Sequence, residues 1–187
     1  MPSTLSSRYR GPALAALQQA ERPTYIDTLL PHLTHADAPG QARMELAAVL
    51  TEAGSSASAM RVLRTVLALP VNAAAQKDAH NALAVLLDRT EGRLEQAEYH
   101  LRSALAVDPS YAPAMLNLAN CLWQQYRWQE ALALFRQSAA LEPDESEYAY
   151  SLAAAHFELG RAEEARRGFI HALGLNPSNY HALTGLG

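Results

Sequence analysis

The feature that most constrains this chain is one fixed interval that recurs at independent positions. Ala97, Ala131 and Ala165 keep it, and so do Pro109, Pro143 and Pro177. Leu101, Phe135 and Phe169 share the spacing, as do Ala104, Ser138 and Ala172. Coincidence does not align four sets of residues on one period. A period in the range of roughly 20–50 residues marks a supersecondary unit that needs neighbours to bury its apolar face. The chain is therefore an array rather than a single closed core.

Each unit reads as two helices. Tyr111 to Gln124 is apolar at Met115, Leu118, Ala119 and Leu122, which is helical spacing. A turn at Gln125-Tyr126-Arg127 leads to a second helix carrying Ala131, Leu134, Phe135 and Ala139, which Pro143 stops. Asp144 or Ser146 is placed to cap the next helix. That unit runs from Glu147 to Glu158, turns at Leu159-Gly160-Arg161 and continues from Ala162 to Leu173. The preceding unit runs from about Asp78 to Thr90, turns at Gly92 and continues from Leu94 to Val107. Its Leu83, Ala84 and Leu87 fit the pattern if Glu91 is one extra residue in the turn.

Upstream, Leu46, Ala47 and Leu50 form one apolar face and Ala59, Leu63 and Val66 a second, with Gly54 between and Pro70 after. The step from Gly54 to Gly92, like that from Ala59 to Ala97, is longer than the later interval. It implies a longer connection, most of it Val71 to Gln76. The units are thus 41–72, 77–111, 112–145 and 146–179, with a partial fifth over 180–187. Residues 1–40 do not fit the period, and their prolines divide two short helices that read as a divergent cap.

Composition agrees with an all-α chain: alanine is abundant and aromatics are 7% of residues. The formal charge of −4 gives no basic footprint for nucleic acid. Cys121 is the only cysteine, so neither a disulfide framework nor a multi-cysteine zinc site is available. Absence of a signal-like start or a long apolar run points to a cytoplasmic protein without membrane contact.

The pattern resembles the tetratricopeptide repeat: small or apolar residues early in the first helix, a turn glycine, Ala, an aromatic or Leu, Ala, and a closing Pro. It matches in Leu118, Ala119, Leu122, Ala131, Phe135, Ser138 and Pro143, and again in Leu152, Ala153, Gly160, Ala165, Phe169, Ala172 and Pro177. Tyr126 departs from it at the turn glycine, and His156 and either Asp88 or Leu87 stand where tyrosine is usual. The resemblance implies a right-handed α-solenoid of stacked helix-turn-helix hairpins with a concave groove lined by first helices. It also implies which residues face that groove. These are Asn81 and Arg89 in one unit, Leu116, Asn117, Asn120, Trp123 and Gln124 in the next, and Tyr150, Ser151 and Phe157 in the third. Amides there can hold the backbone of an extended peptide while the aromatics supply flat anchors.

Some members of this family clamp a terminal carboxylate with lysines and asparagines. Here Leu116, Asn120, Glu147 and Ser151 stand at the matching places and Lys77 is the only lysine, which argues against such a clamp. Others form the substrate arm of O-linked N-acetylglucosamine transferases through an asparagine ladder, which Asn117 matches and Ser151 does not continue. His32 and His35 lie three apart without a carboxylate partner, and Cys121 has no histidine placed to activate it. The expectation is a non-enzymatic scaffold that takes a peptide or partner helix and needs no cofactor or metal. The alternative is the non-catalytic arm of a larger modifying enzyme, suggested by the half-repeat at Gly187. Tyr180, Leu183 and Leu186 on that half-repeat offer a surface for self-association.

Overall fold

The computed structural model describes residues 40–186. The expected cap lies, save for Gly40, outside the described residues, and so do His32 and His35. Every regular element among the described residues is an α-helix. They form two compact units that divide in sequence between Arg93 and Leu94.

The first unit holds α1 (Gly40–Glu52), α2 (Ser56–Leu67) and α3 (Ala73–Glu91). Leu46, Ala47 and Leu50 of α1 are buried with Ala59, Leu63 and Val66 of α2, so the two apolar faces form one interface. The chain turns at Gly54, whose φ of 74° is open to glycine without steric cost. Helix α3 differs from the sequence reading. It starts at Ala73, where Asn72 accepts a hydrogen bond from the Ala75 amide at 2.8 Å. Ala73, Ala74 and Ala75 are strong helix formers, so once Asn72 caps them they extend the helix instead of linking two units. At its other end one residue more separates the buried Leu87 from Gly92 than separates Leu50 from Gly54. The closing bond there runs from Arg93 N–H to Leu87 O at 3.3 Å.

The second unit holds α4 (Leu94–Val107), α5 (Ala112–Gln124), α6 (Trp128–Leu141), α7 (Ser146–Glu158), α8 (Ala162–Leu175) and α9 (Tyr180–Leu186). Each packs on the next in chain order. Ala97, Ala131 and Ala165 are fully buried or nearly so, as the period requires where helices cross. Gly168 lets α8 approach α7: an added Cβ would sit 2.6 Å from the Ala153 Cβ. Gly185 does the same for α9 against the Phe169 ring.

Two equivalent turns close the central hairpins. After α7, Gly160 adopts φ 72° and Arg161 N–H reaches His156 O at 2.9 Å. After α5, Tyr126 takes the same left-handed conformation at φ 62°, with Arg127 N–H to Leu122 O at 2.9 Å. This is the αL cap that satisfies orphan carbonyls at a helix end. Neither Asp144 nor Ser146 caps α7, whose first turn has no side-chain cap. The Ser146 hydroxyl instead donates to Ala172 O at 2.9 Å and accepts from Asn179 Nδ2 at 2.7 Å. Asn179 Oδ1 in turn accepts from the Ala182 amide, so one residue caps α9 and ties it to α7.

Candidate functional site

The groove residues expected from sequence distribute over both units. Asn81 and Arg89 lie on α3; the other eight lie on α5 and α7. Three facts of local packing shape the second set.

First, the aromatics are propped from behind. Trp123 lies 6.2 Å from the buried Phe135, and its counterpart one repeat on, Phe157, lies 6.4 Å from the buried Phe169. Tyr150 rests on Phe169 as well, at 6.0 Å, with His181 of α9 at 5.6 Å. Rings held in tilted contact lose little freedom when a ligand arrives. Phe157 remains 58% exposed, an unusual exposure for phenylalanine.

Second, the polar residues are uneven. Asn120 and Gln124 are exposed and Asn117 is half-buried, all on one face of α5. Ser151 Oγ donates to Glu147 O of its own helix at 2.8 Å, which occupies its proton. Leu116 is 6% exposed and its side chain belongs to the core. Leu116 and Tyr150 are equivalent in the repeat, but only the larger ring extends beyond the packed layer.

Third, sequence reasoning missed two members. Trp128 is 6.4 Å from Trp123 and Tyr126 is 6.1 Å from Trp128, so the aromatic surface continues around the turn. Tyr126 and Trp128 flank Arg127 only a few residues beyond Trp123, and that crowding of rings was the available signal.

Beside this surface stands a charged cluster. Arg127 donates to both Glu98 oxygens at 2.9 Å, and to Glu130 at 2.8 and 2.7 Å. Gln125 and Arg102 also donate to Glu98. Burial would raise the Glu98 carboxyl, but the hydrogen bonds from Arg102, Arg127 and Gln125 outweigh it and hold it below its usual range. Glu130 is likewise lowered, chiefly by its hydrogen bonds from Arg127. The cluster ties α4 to the α5–α6 turn, so its role is to hold elements together.

Among the described residues no group of three or more His, Cys, Asp or Glu is placed to hold a metal ion. Cys121 is buried, with Sγ 3.2 Å from Leu94 O. No described helix is long and apolar enough to cross a membrane. Tyr180, Leu183 and Leu186 are 71%, 51% and 41% exposed, while Ala182 turns inward on α8.

These hairpins, with small residues at their crossings and left-handed turns at a fixed interval, define a helical-hairpin repeat protein. The tetratricopeptide repeat model matches residues 89–154 and again 122–186. The chain belongs to the tetratricopeptide repeat family. It is 34% identical over 95 residues to the Hsp70-Hsp90 organizing protein of Triticum aestivum, covering 51% of this chain and 16% of that one. It is 30% identical over 102 residues to the protein O-mannosyl-transferase TMTC3 of Homo sapiens, covering 54% and 11%. The chain thus spans at most about a sixth of these relatives' length. Among solved structures it resembles PilF of Pseudomonas aeruginosa, with a TM-score of 0.71 at 25% identity over 81% of this chain and 67% of that one.

Proposed function

We propose that this chain is a protein-interaction scaffold that holds an extended peptide or partner helix against the first-helix faces of α5 and α7. The observation that carries this reading is the repeated pair Trp123 and Phe157, each propped on a buried phenylalanine at the same repeat position. An exposed ring such as Phe157, or a half-buried one such as Trp123, on a fixed support suits a peptide anchor. Asn117, Asn120 and Gln124 lie alongside on the same face of α5, with Asn120 exposed to a peptide backbone. Resemblance to an organizing protein supports a scaffold role. The chaperone partners in that protein's name do not transfer with it, because Glu147 and Ser151 stand where a carboxylate clamp needs cations.

The test is selection of binding peptides from a displayed library, followed by affinity measurement on two variants. Trp123→Ala and Phe157→Ala are each expected to weaken the selected peptide by about 2 kcal/mol or more, the range of central anchors. Phe157 is exposed, so its truncation leaves the fold intact and isolates the surface effect. Wild-type affinity in both variants overturns the groove reading.

A second reading rests on the transferase relative and on the small share of both relatives that the chain covers. In it the same surface presents a substrate segment to a catalytic domain of a longer cytoplasmic protein. On either reading the repeats position a partner and do no chemistry themselves. The intact mass of the native protein from its source cells separates the two. A mass equal to that of these 187 residues supports the adaptor, and a much larger one the arm.

A further inference from the structure

A cleft of about 430 Å³ opens between α6, α7 and α8. On α7 it is lined by Ala149, Leu152, Ala153 and His156, the i, i+3, i+4, i+7 stripe. Given about 100° per residue, Tyr150 and Phe157 lie roughly a quarter turn around that helix from the stripe, and Ser151 lies further round. The cleft and the candidate peptide surface are therefore neighbouring faces of α7 with no lining residue in common.

The walls are small and apolar: Ala139, Ala140 and Pro143 on one side, Ala149, Ala153 and Gly168 on the other. His156, 8% exposed, is among its lining residues, and its Nδ1 is buried without a hydrogen-bond partner. A buried polar atom left unpaired costs free energy, and an orphan of this kind in a native fold marks a position where a bound group would be rewarded. Charged and titratable groups line the cleft or act on the imidazole from every neighbouring element. Arg136 and Glu142 come from the α6 side, Glu164, Arg167 and His171 from α8, and Arg161 from the turn between α7 and α8. Burial pushes the His156 imidazole below its ordinary value, and Arg136 and Arg161 push it further, outweighing Glu164. The local field at the imidazole is positive.

We propose that this cleft binds a carboxylate carried on an apolar stem, as a glutamate side chain of a partner peptide presents it, with the His156 ring shifting to bring its buried Nδ1–H to the carboxylate. Both halves of the ligand are needed. The apolar walls reward a hydrocarbon stem that a bare anion lacks. Glu142 and Glu164 oppose a doubly charged phosphate more strongly than a single carboxylate. Only neutral or protonated imidazole with its proton on Nδ1 can donate, so occupancy selects that tautomer. Binding an anion there favours the imidazolium, so affinity rises as pH falls toward and below 6.5.

The experiment follows the His156 ring by NMR while three probes are added to the intact chain. They are N-acetyl-leucyl-glutamate amide, its glutamine counterpart, and inorganic phosphate. The glutamate probe should move the ring signals and raise the His156 pKa, with the glutamine probe at least tenfold weaker. His156→Phe tests the donor and Arg136→Gln tests the field without touching the core, since Arg136 is exposed. Both are expected to lose most of the binding, and Arg136→Gln is the decisive variant should His156→Phe unfold. Phosphate binding as tightly as the glutamate probe overturns the proposal in favour of a general anion site. No movement with any probe overturns it too, leaving His156 satisfied by water alone.

Discussion

The hairpin α5–α6 and the hairpin α7–α8 follow one plan shifted by a single repeat, and they differ at three positions that matter. Where the first has Leu122, 1% exposed, the second has His156 with its unpaired Nδ1. Tyr126 makes the left-handed turn that Gly160 makes more easily. Leu134 stands where Gly168 admits Ala153 at close range. The period thus dictates backbone path and crossing residues, while each hairpin carries its own local cost. In the first it is a strained turn, and in the second a buried polar group. Only the second cost opens onto a cleft, and a cost without structural return is where a ligand is to be sought.

Exchanging the core residues should break the comparison most visibly. Leu122→His puts an imidazole into a packed apolar site and is expected to destabilise by about 3–5 kcal/mol, from lost burial plus an unpaired polar group. His156→Leu runs the other way and should stabilise by about 1 kcal/mol, because it removes the orphan. Chemical denaturation of both variants reads the two signs. The pH dependence follows from the lowered pKa of His156. Between its folded value and the ordinary 6.5 the unfolded chain binds more protons than the folded one. Stability therefore rises with pH through that window and levels off above it. The gap between wild type and His156→Leu should widen as pH falls below 6.5, and a gap that is constant with pH would show that the imidazole is not buried neutral.

Next in size is the close approach in α7–α8. Gly168→Ala gains about 1 kcal/mol of helix propensity, yet the new Cβ meets the rigid Ala153 Cβ at 2.6 Å. Overpacking costs about 1–3 kcal/mol, so the net effect is expected to be destabilising by about 1 kcal/mol. A stabilised variant, measured by urea titration, would mean the two helices part enough in solution to admit the methyl group.

How far the sequence carries these distinctions varies with the range of the interaction. The crossings at Ala97, Ala131 and Ala165 are legible because a small residue at a fixed interval has one structural use. The extra residue before Gly92 is legible too, since Leu83, Ala84 and Leu87 stay buried only with it. The start of α3 is not legible from the period, because Ala73 to Gln76 break it while still favouring helix; propensity decides there. Ser146 has the residue type and place of a cap, but its hydroxyl meets Ala172 O, far along the chain. The orphan state of His156 depends on what α6 and α8 fail to offer it. No spacing within α7 encodes that. Trp128 and Tyr126 join the aromatic surface for a similar reason, through a turn whose geometry brings three rings together.

The turns give a smaller effect with two signs. Gly160→Ala meets nothing within 4 Å, so the φ of 72° alone decides, at a cost of about 1 kcal/mol. Tyr126→Gly relieves the same strain but gives up the edge contact to Trp128, so its gain should stay below about 1 kcal/mol. Thermal melts that move in opposite directions confirm one shared turn conformation; melts that move together separate the turns.

The smallest difference is electrostatic. Arg127 and Glu130 have counterparts in Arg161 and Glu164, but Glu98 has Leu132 at its place in the next repeat. Of the two turns, the one between α5 and α6 therefore has a carboxylate shared between two arginines. Its folded pKa is lowered, so its contribution is present above the ordinary carboxylate value of 4.5 and is lost as pH falls through the folded one. Arg127 and Glu130 are solvent-facing, which lets salt screen most of the cluster. Arg127→Gln should lower the melting temperature slightly at low salt and leave it near wild type at high salt. Arg161→Gln should show less salt dependence than Arg127→Gln, because the apolar Leu132 stands in the place of Glu98. Equal salt dependence in the two variants would remove Glu98 from the account and leave the two turns electrostatically alike.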